Sequence, residues 1–150
     1  MKQKSRFRGL IFCCAFVLIS TFAFAQTPRQ STNQKALKKY NEALVALEDN
    51  RSAEGIALLG SALQIDSNFI DAYLSLAGAL GNTKQYKKAV TVYERARLKD
   101  SIYFTPYLLP YSINLAGLGQ FEEALTAIKK FLTLEGLSGR SIKAAQYRKK

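Results

Sequence analysis

The sequence predicts an all-α fold, a right-handed α-solenoid of about three helical hairpins that ends in a C-terminal capping helix. The stretch from residue 70 to 103 carries two apolar stripes at helical spacing, separated by the polar break Gly81-Asn82-Thr83-Lys84. The same pattern recurs about every 34 residues on both sides of this stretch. Because a hairpin with one apolar face cannot bury that face alone, consecutive copies are expected to stack.

The hairpins place bulky and small residues at fixed positions, where we expect one helix to pack against the next. In the first copy these residues are Gly55, Leu59 and Ala62, and in the second they are Tyr73, Leu76, Ala77, Leu80, Ala89, Tyr93 and Ala96. In the third they are Leu108, Tyr111, Ser112, Leu115, Ala124, Ile128 and Phe131. The period and the pattern resemble the tetratricopeptide repeat family over residues 36–136, which implies repeats at about 36–69, 70–104 and 105–138.

Short-range signals mark where the helices begin and break. Side chains of Ser and Asp can accept hydrogen bonds from the free N–H groups of a helix start, and proline removes such a group. The predicted caps are Ser31 (with Gln34 as a capping box), Asp66, Asp100 and Ser138, and the predicted breaks are an inserted residue within 101–105, Pro106 in a first turn and Pro110 at a kink. The helix after Ser138, within residues 137–150, either caps the last repeat or begins a further domain.

Gly55 stands where the other two copies carry Ala89 and Ala124. A glycine inside a helix costs roughly 0.5–1 kcal/mol relative to alanine. We therefore expect Gly55→Ala to raise the melting temperature.

The first 25 residues have the organisation of a secretion signal rather than of a folded element. Four basic residues precede an apolar run from Leu10 to Phe22, and Ala23-Phe24-Ala25 has the form of a cleavage site before a polar linker at 26–35. Phe12 precedes Cys13 where a lipoprotein signal has a small residue, so no lipid anchor is expected. We predict export to the periplasm or the outer membrane, with contact to a membrane only during export; an uncleaved anchor is the alternative.

Composition argues against nucleic-acid binding and against catalysis. The net charge of +11 is concentrated in the two ends, because the body from Lys35 to Glu135 has twelve basic and eleven acidic residues. The chain has no His, and its scattered carboxylates form no flanking pair for acid–base work. We find no phosphate-binding loop or metal-ligand cluster in the sequence. The sequence therefore predicts neither an enzyme nor a cofactor, and no nucleic-acid partner.

The resemblance implies a concave groove that is lined by the first helix of each repeat and that binds a peptide or a helix of a partner protein. The implied groove positions are Leu37, Tyr40, Leu44 and Leu47, then Asp71, Leu74, Gly78 and Gly81, then Pro106, Leu109, Ile113 and Ala116. The family's grooves that clamp a peptide carboxylate use Lys, Arg and Asn, whereas this chain has Tyr40, Leu44, Ser75, Pro106 and Pro110 at the matching positions. An apolar helix or strand is the expected occupant, from another protein or from a flanking domain of the same polypeptide. The alternative is that the leucines only pack within the solenoid.

The segment from Phe131 to Lys150, with its Leu-Ser-x-x-Ser-Ile-Lys-Ala-Ala run, also resembles envelope proteins of Bacteroidetes-type bacteria. In those proteins such repeats precede a β-propeller and a peptidoglycan-binding domain of the outer-membrane-protein-A type. The resemblance implies an adaptor or scaffold in a cell-envelope assembly. A spacer that positions a neighbouring peptidoglycan-binding domain is the alternative, and an accessory subunit of an envelope enzyme is a further one.

Overall fold

The computed structural model describes residues 31–134 and 136–149, and the regular elements in this part of the chain are all helices. The predicted signal segment and its cleavage site lie outside the described residues. The helices are α1 (Gln34–Glu48), α2 (Ser52–Ile65), α3 (Ile70–Asn82), α4 (Tyr86–Lys99), α5 (Ser101–Phe104), α6 (Leu108–Gly117), α7 (Phe121–Leu132) and α8 (Gly139–Lys149), with a 3₁₀ turn at Thr105–Tyr107 between α5 and α6. None of the helices described is both long and apolar enough to span a bilayer.

The helices pack in serial pairs. Helix α1 packs against α2, α3 against α4 and α6 against α7, and each hairpin contacts the next through α2 with α3 and α4 with α6. Helix α8 packs against α7 in the manner of a cap. This arrangement confirms the predicted helical solenoid of three hairpins with a terminal helix.

The three hairpin turns share one backbone geometry. Asn50, Lys84 and Gly119 each have a positive φ, of 61°, 60° and 79°. In each turn the next residue donates its N–H to a carbonyl five positions earlier, as Gln85 does to Leu80 at 2.9 Å. This is the Schellman ending of a helix, which satisfies carbonyls that the helix leaves free. The repeat is therefore present in the backbone as well as in the side-chain pattern.

The first helix of the third repeat is broken into three pieces, and the first piece, α5, begins at Ser101, ahead of the predicted repeat boundary at 105. Asp100 accepts hydrogen bonds from the N–H groups of Ile102 and Tyr103 at 3.0 and 2.9 Å and so caps α5, as expected. Pro106 lies in the 3₁₀ turn and Pro110 lies in the first turn of α6. A proline in the first turn of a helix removes no hydrogen bond of that helix. The kink expected at Pro110 is therefore replaced by a helix boundary that precedes Pro110.

Of the other three predicted caps, two are wrong and one is confirmed. Helix α1 begins at Gln34, inside the predicted linker, and its cap is Asn33, whose side chain accepts from Lys35 N and Ala36 N. Ser31 instead donates to the Asp66 carboxylate at 2.5 Å, which ties the start of the first hairpin to its end. Asp66 also accepts from Asn68 N within the turn, but α3 has no side-chain cap. Ser138 accepts from Ser141 N at 3.1 Å and caps α8 as expected.

The described core consists of two clusters. The N-terminal cluster is built mainly of small residues with Leu59 and Phe69: Ala36, Ala43, Leu59, Ala62, Phe69 and Ala72. The aromatic cluster joins the second and third repeats and α8: Ile70, Tyr73, Leu74, Ala77, Tyr93, Ala96, Phe104, Leu108, Ala127, Ile128, Phe131 and Ala145. The residues predicted to pack the repeats are buried, except that Leu76 and Tyr111 are half-buried.

Gly55 sits in a close contact between α1 and α2. A Cβ atom added there would lie 2.6 Å from Leu47 Cγ and 3.3 Å from the Ala43 carbonyl oxygen. Such distances require the half-buried Leu47 side chain to move. The structure thus contradicts the expectation that Gly55→Ala is stabilising. That expectation considers only the higher helix propensity of alanine, whereas the added Cβ atom would clash with Leu47 of the neighbouring helix α1.

Candidate functional site

The twelve predicted groove positions are not equally accessible. Leu37, Tyr40, Leu44, Leu47, Asp71, Gly78, Gly81 and Leu109 are half-buried, while Pro106, Ile113 and Ala116 are exposed. Leu74 is only 4% exposed and belongs to the aromatic cluster, so it cannot contact a ligand. The structure therefore removes Leu74 from the ligand-facing set.

Two further positions are occupied by contacts within the solenoid. Leu47 packs over Gly55, as described above. A Cβ atom on Gly81 would lie 2.6 Å from the Asn114 Oδ1 atom of α6, which is buried without a hydrogen-bond partner among the described residues. Gly81 therefore serves the close approach of the second and third repeats, and we withdraw it and Leu47 from the ligand-facing set.

Side chains of all three repeats meet at the first turns of α3. The Tyr103 hydroxyl donates to Asp71 Oδ1 at 2.6 Å, and the Tyr40 and Ser75 hydroxyls lie 3.3 Å apart. Tyr107 stacks at a tilt on Tyr103, with ring centroids 6.3 Å apart. We call these five residues the tyrosine cluster; each of them is half-buried.

Electrostatics links the members of this cluster. Burial, the nearby Asp71 carboxylate and Tyr40 together raise the pKa of Tyr107 above its ordinary value. Asp71 and Tyr40 therefore each lie within electrostatic reach of Tyr107. Asp71 also lies in the first turn of α3, where the helix dipole favours a negative charge.

Tyr103 and Tyr107 were not among the predicted groove residues. They reach the cluster because the third repeat opens with α5 and the 3₁₀ turn instead of a continuous helix. The sequence predicts an inserted residue within 101–105 but assigns that stretch to a loop, whereas the structure folds it into α5 and the start of the 3₁₀ turn. The signal that could have identified these residues is the pair of tyrosines flanking Pro106 in the inserted stretch.

A second concave feature lies at the C-terminal flank. A cavity of about 460 Å³ opens between α6, α7 and α8, with Arg148 on its wall. Two predicted groove residues, Ile113 and Ala116, line it together with Phe121, which is 68% exposed. The exposed apolar positions of α6 thus face this flank.

The described residues contain no group of His, Cys, Asp and Glu side chains that could hold a metal ion. The tyrosine cluster offers hydroxyl groups, ring faces and one carboxylate. Its chemistry is suited to holding a chain segment by hydrogen bonds and ring contacts.

Comparison with known proteins gives a family match over part of the chain and a set of similar folds. Residues 35–101 match the model of the tetratricopeptide repeat. The first TPR domain of Spaghetti (RPAP3), bound to an HSP90 peptide, has a TM-score of 0.69 at 18% identity, over 77% of this chain and 90% of that one. The second TPR domain of human RPAP3, in complex with an HSP70 peptide, has a TM-score of 0.69 at 17% identity, over 77% and 96% of the two chains.

Two further solved structures share the fold. The Sgt2 TPR domain from Aspergillus fumigatus has a TM-score of 0.70 at 18% identity, over 81% of each chain. The Yersinia enterocolitica type III secretion translocator chaperone SycD has a TM-score of 0.68 at 16% identity, over 79% of this chain and 94% of that one. No curated protein sequence matches the chain. The shared fold and the match of residues 35–101 together support the tetratricopeptide repeat family for this chain.

Proposed function

We propose that this protein is a protein–protein interaction module that holds a peptide or helix of its partner in the concave groove. The observation that carries the proposal is the tyrosine cluster, in which half-buried hydroxyl groups and a carboxylate from three repeats meet on one surface. Half-buried hydroxyl groups and a carboxylate can still form hydrogen bonds to a ligand. Leu44, which belongs to neither core cluster, adds apolar surface on α1.

Known structures of this fold support a peptide as the occupant. Two of them are complexes with the peptides SRMEEVD and SGPTIEEVD. Both of those peptides end in acidic residues, whereas none of this chain's predicted groove positions is Lys or Arg. We therefore propose the same mode of binding with a different partner chemistry.

We further propose that the protein acts as an adaptor or scaffold in the envelope of a Gram-negative bacterium, in the periplasm or at the outer membrane. The support is the predicted secretion signal in residues 1–25 and the resemblance of the segment from Phe131 to Lys150 to envelope proteins. Fractionation of the native host tests this location: the mature protein should begin at Gln26 and appear in the envelope fraction. Full-length protein in the cytoplasm would contradict it.

A spacer function is the second candidate. It is favoured by four predicted groove positions that pack against the core clusters: Leu37, Tyr40, Leu47 and Leu109. In this case the groove would have no separate occupant, and the solenoid would only position a neighbouring domain.

Affinity capture with matched variants separates the two functions. Leu44→Asp and Ile113→Asp place a charge at two predicted groove positions. Leu44 lies on α1, and Ile113, which is 37% exposed, lies on α6 where it also lines the C-terminal cavity. Leu118→Asp is the control, because Leu118 is 39% exposed and lies in the turn after α6. An adaptor should lose the same partner in both groove variants and keep it in the control, with helicity unchanged. No partner, or equal loss in all three, would favour the spacer.

A further inference from the structure

The groove carries a single charged side chain. Among the twelve predicted groove positions only Asp71 is charged at neutral pH, and none is basic. One carboxylate oxygen of Asp71 accepts from the Tyr103 hydroxyl at 2.6 Å. None of the ion pairs found in residues 31–134 and 136–149 involves Asp71. A half-buried carboxylate thus faces the groove without a cationic partner in the described part of the chain.

Tyr103 and Tyr107 lie beside this carboxylate, and Tyr40 contacts Ser75 one turn further along α3. Tyr103 and Tyr107 present tilted faces 6.3 Å apart, and Tyr40 is fixed by its stacking on Phe69, with centroids 4.8 Å apart. The face of such a ring is electron-rich and attracts a cation within about 6 Å of its centre. The hydroxyl groups of Tyr40 and Ser75 add acceptors for N–H groups.

A contact between a lysine ammonium and a tyrosine ring is present elsewhere in this protein. The Lys99 ammonium lies 5.6 Å from the centre of the Tyr73 ring and donates to Asn68 Oδ1 at 2.9 Å. A lysine over a tyrosine with an oxygen acceptor beside it is therefore compatible with these helix surfaces. The tyrosine cluster has the rings and the acceptors for such a contact, with a carboxylate in addition.

We infer, building on the proposed groove function, that the partner is an extended polypeptide segment that places a Lys or Arg side chain on Asp71 among Tyr40, Tyr103 and Tyr107. Apolar residues of the segment on either side contact Leu44 and the exposed positions of α6. An acidic segment is disfavoured, because its carboxylates would approach Asp71, and none of the predicted groove positions carries a Lys or Arg to compensate. The preference is thus opposite to that expected of a carboxylate-binding groove.

Selection from a displayed random peptide library tests this inference with the full chain immobilised. Asp71→Asn removes the charge and keeps an oxygen for the Tyr103 hydroxyl. Asp49→Asn is the matched control, because Asp49 pairs with Arg51 on the surface and lies outside the groove. The binding of selected peptides to each variant is then measured by fluorescence polarisation.

The expected result is an enrichment of Lys and Arg and a depletion of Asp and Glu in the selected peptides. Affinity for these peptides should fall about threefold to tenfold in Asp71→Asn and stay unchanged in Asp49→Asn. Selected peptides without basic residues, or with equal affinity for Asp71→Asn, would overturn the charge preference and leave the groove function in place. Peptides that bind equally well to Leu44→Asp and Ile113→Asp would instead overturn the groove function itself.

Discussion

The first repeat and the two later repeats have the same backbone geometry at their turns, but different kinds of side chain fill their cores. The first relies on Ala36, Ala43 and Ala46, which are fully buried, and on a glycine contact at Gly55. The junction of the second and third repeats is filled by three rings, Tyr93, Phe104 and Tyr111, with centroids 5.5 to 6.0 Å apart. The turn geometry thus determines how the chain reverses between the two helices of a hairpin. The size of the side chains then determines whether the hairpins are stabilised by close contact between helix backbones or by buried aromatic rings.

The largest expected effect is at the aromatic junction. Phe104 is 1% exposed and contacts both tyrosine rings, so Phe104→Ala should lower the free energy of unfolding by about 3–5 kcal/mol. Urea titration followed by circular dichroism measures the loss. Phe69→Ala in the first repeat should cost less, because Phe69 stacks on Tyr40 alone among the described rings. An equal or smaller effect at Phe104 would contradict the comparison.

Alkaline pH should weaken the same junction. Burial, with a smaller contribution from Tyr107, raises the pKa of Tyr93 from its ordinary value of 10.0 to about 12. Below pH 10 Tyr93 is protonated in both states and its contribution is fully present. As the pH rises from 10 to 12 only the unfolded chain ionises, so stability falls by up to roughly 2–3 kcal/mol. Urea titrations across this range should show a shallower fall for Tyr93→Phe; an identical fall would count against the buried hydroxyl.

Two glycines in α2 give a matched test of the first repeat. Gly55→Ala should cost about 1–3 kcal/mol, since its Cβ would meet Leu47. Gly60→Ala should gain roughly 0.5–1 kcal/mol, because a Cβ there has nothing within 4 Å. Thermal unfolding of the two variants should therefore shift in opposite directions. A gain in both would show that Leu47 moves aside freely.

The smallest expected effect is in the shared turns. Lys84 has a positive φ of 60°. Gly119 stands at the equivalent turn position of the next repeat with a φ of 79°, which glycine adopts without strain. Lys84→Gly should therefore stabilise the protein by about 0.5–1 kcal/mol, and Gly119→Ala should destabilise it by a similar amount. Differential scanning calorimetry resolves both changes. No change in either variant would mean that the turns tolerate any residue.

The repeat period was predictable because it depends on the local spacing of apolar residues along each helix. The caps at Asp100 and Ser138 were predictable because each side chain accepts a hydrogen bond from a residue two or three positions further along the chain. The contact of Gly55 with Leu47 was not predictable, because it depends on the distance between two helices, and local sequence patterns do not determine that distance. The sequence predicts groove positions at Tyr40, Asp71 and Ser75 of the tyrosine cluster, but not at Tyr103 and Tyr107. The rest of the cluster depends on how an inserted residue reshapes the third repeat, which is a tertiary outcome.

Site-specific photocrosslinking in the native host tests most directly whether the groove is occupied. A photoreactive phenylalanine analogue would replace Leu44 or Tyr107 on the groove side and Leu118 as the control. The account predicts that both groove positions crosslink to the same partner polypeptide and that Leu118 does not. Crosslinks of equal yield from all three positions, or none from the groove, would contradict it.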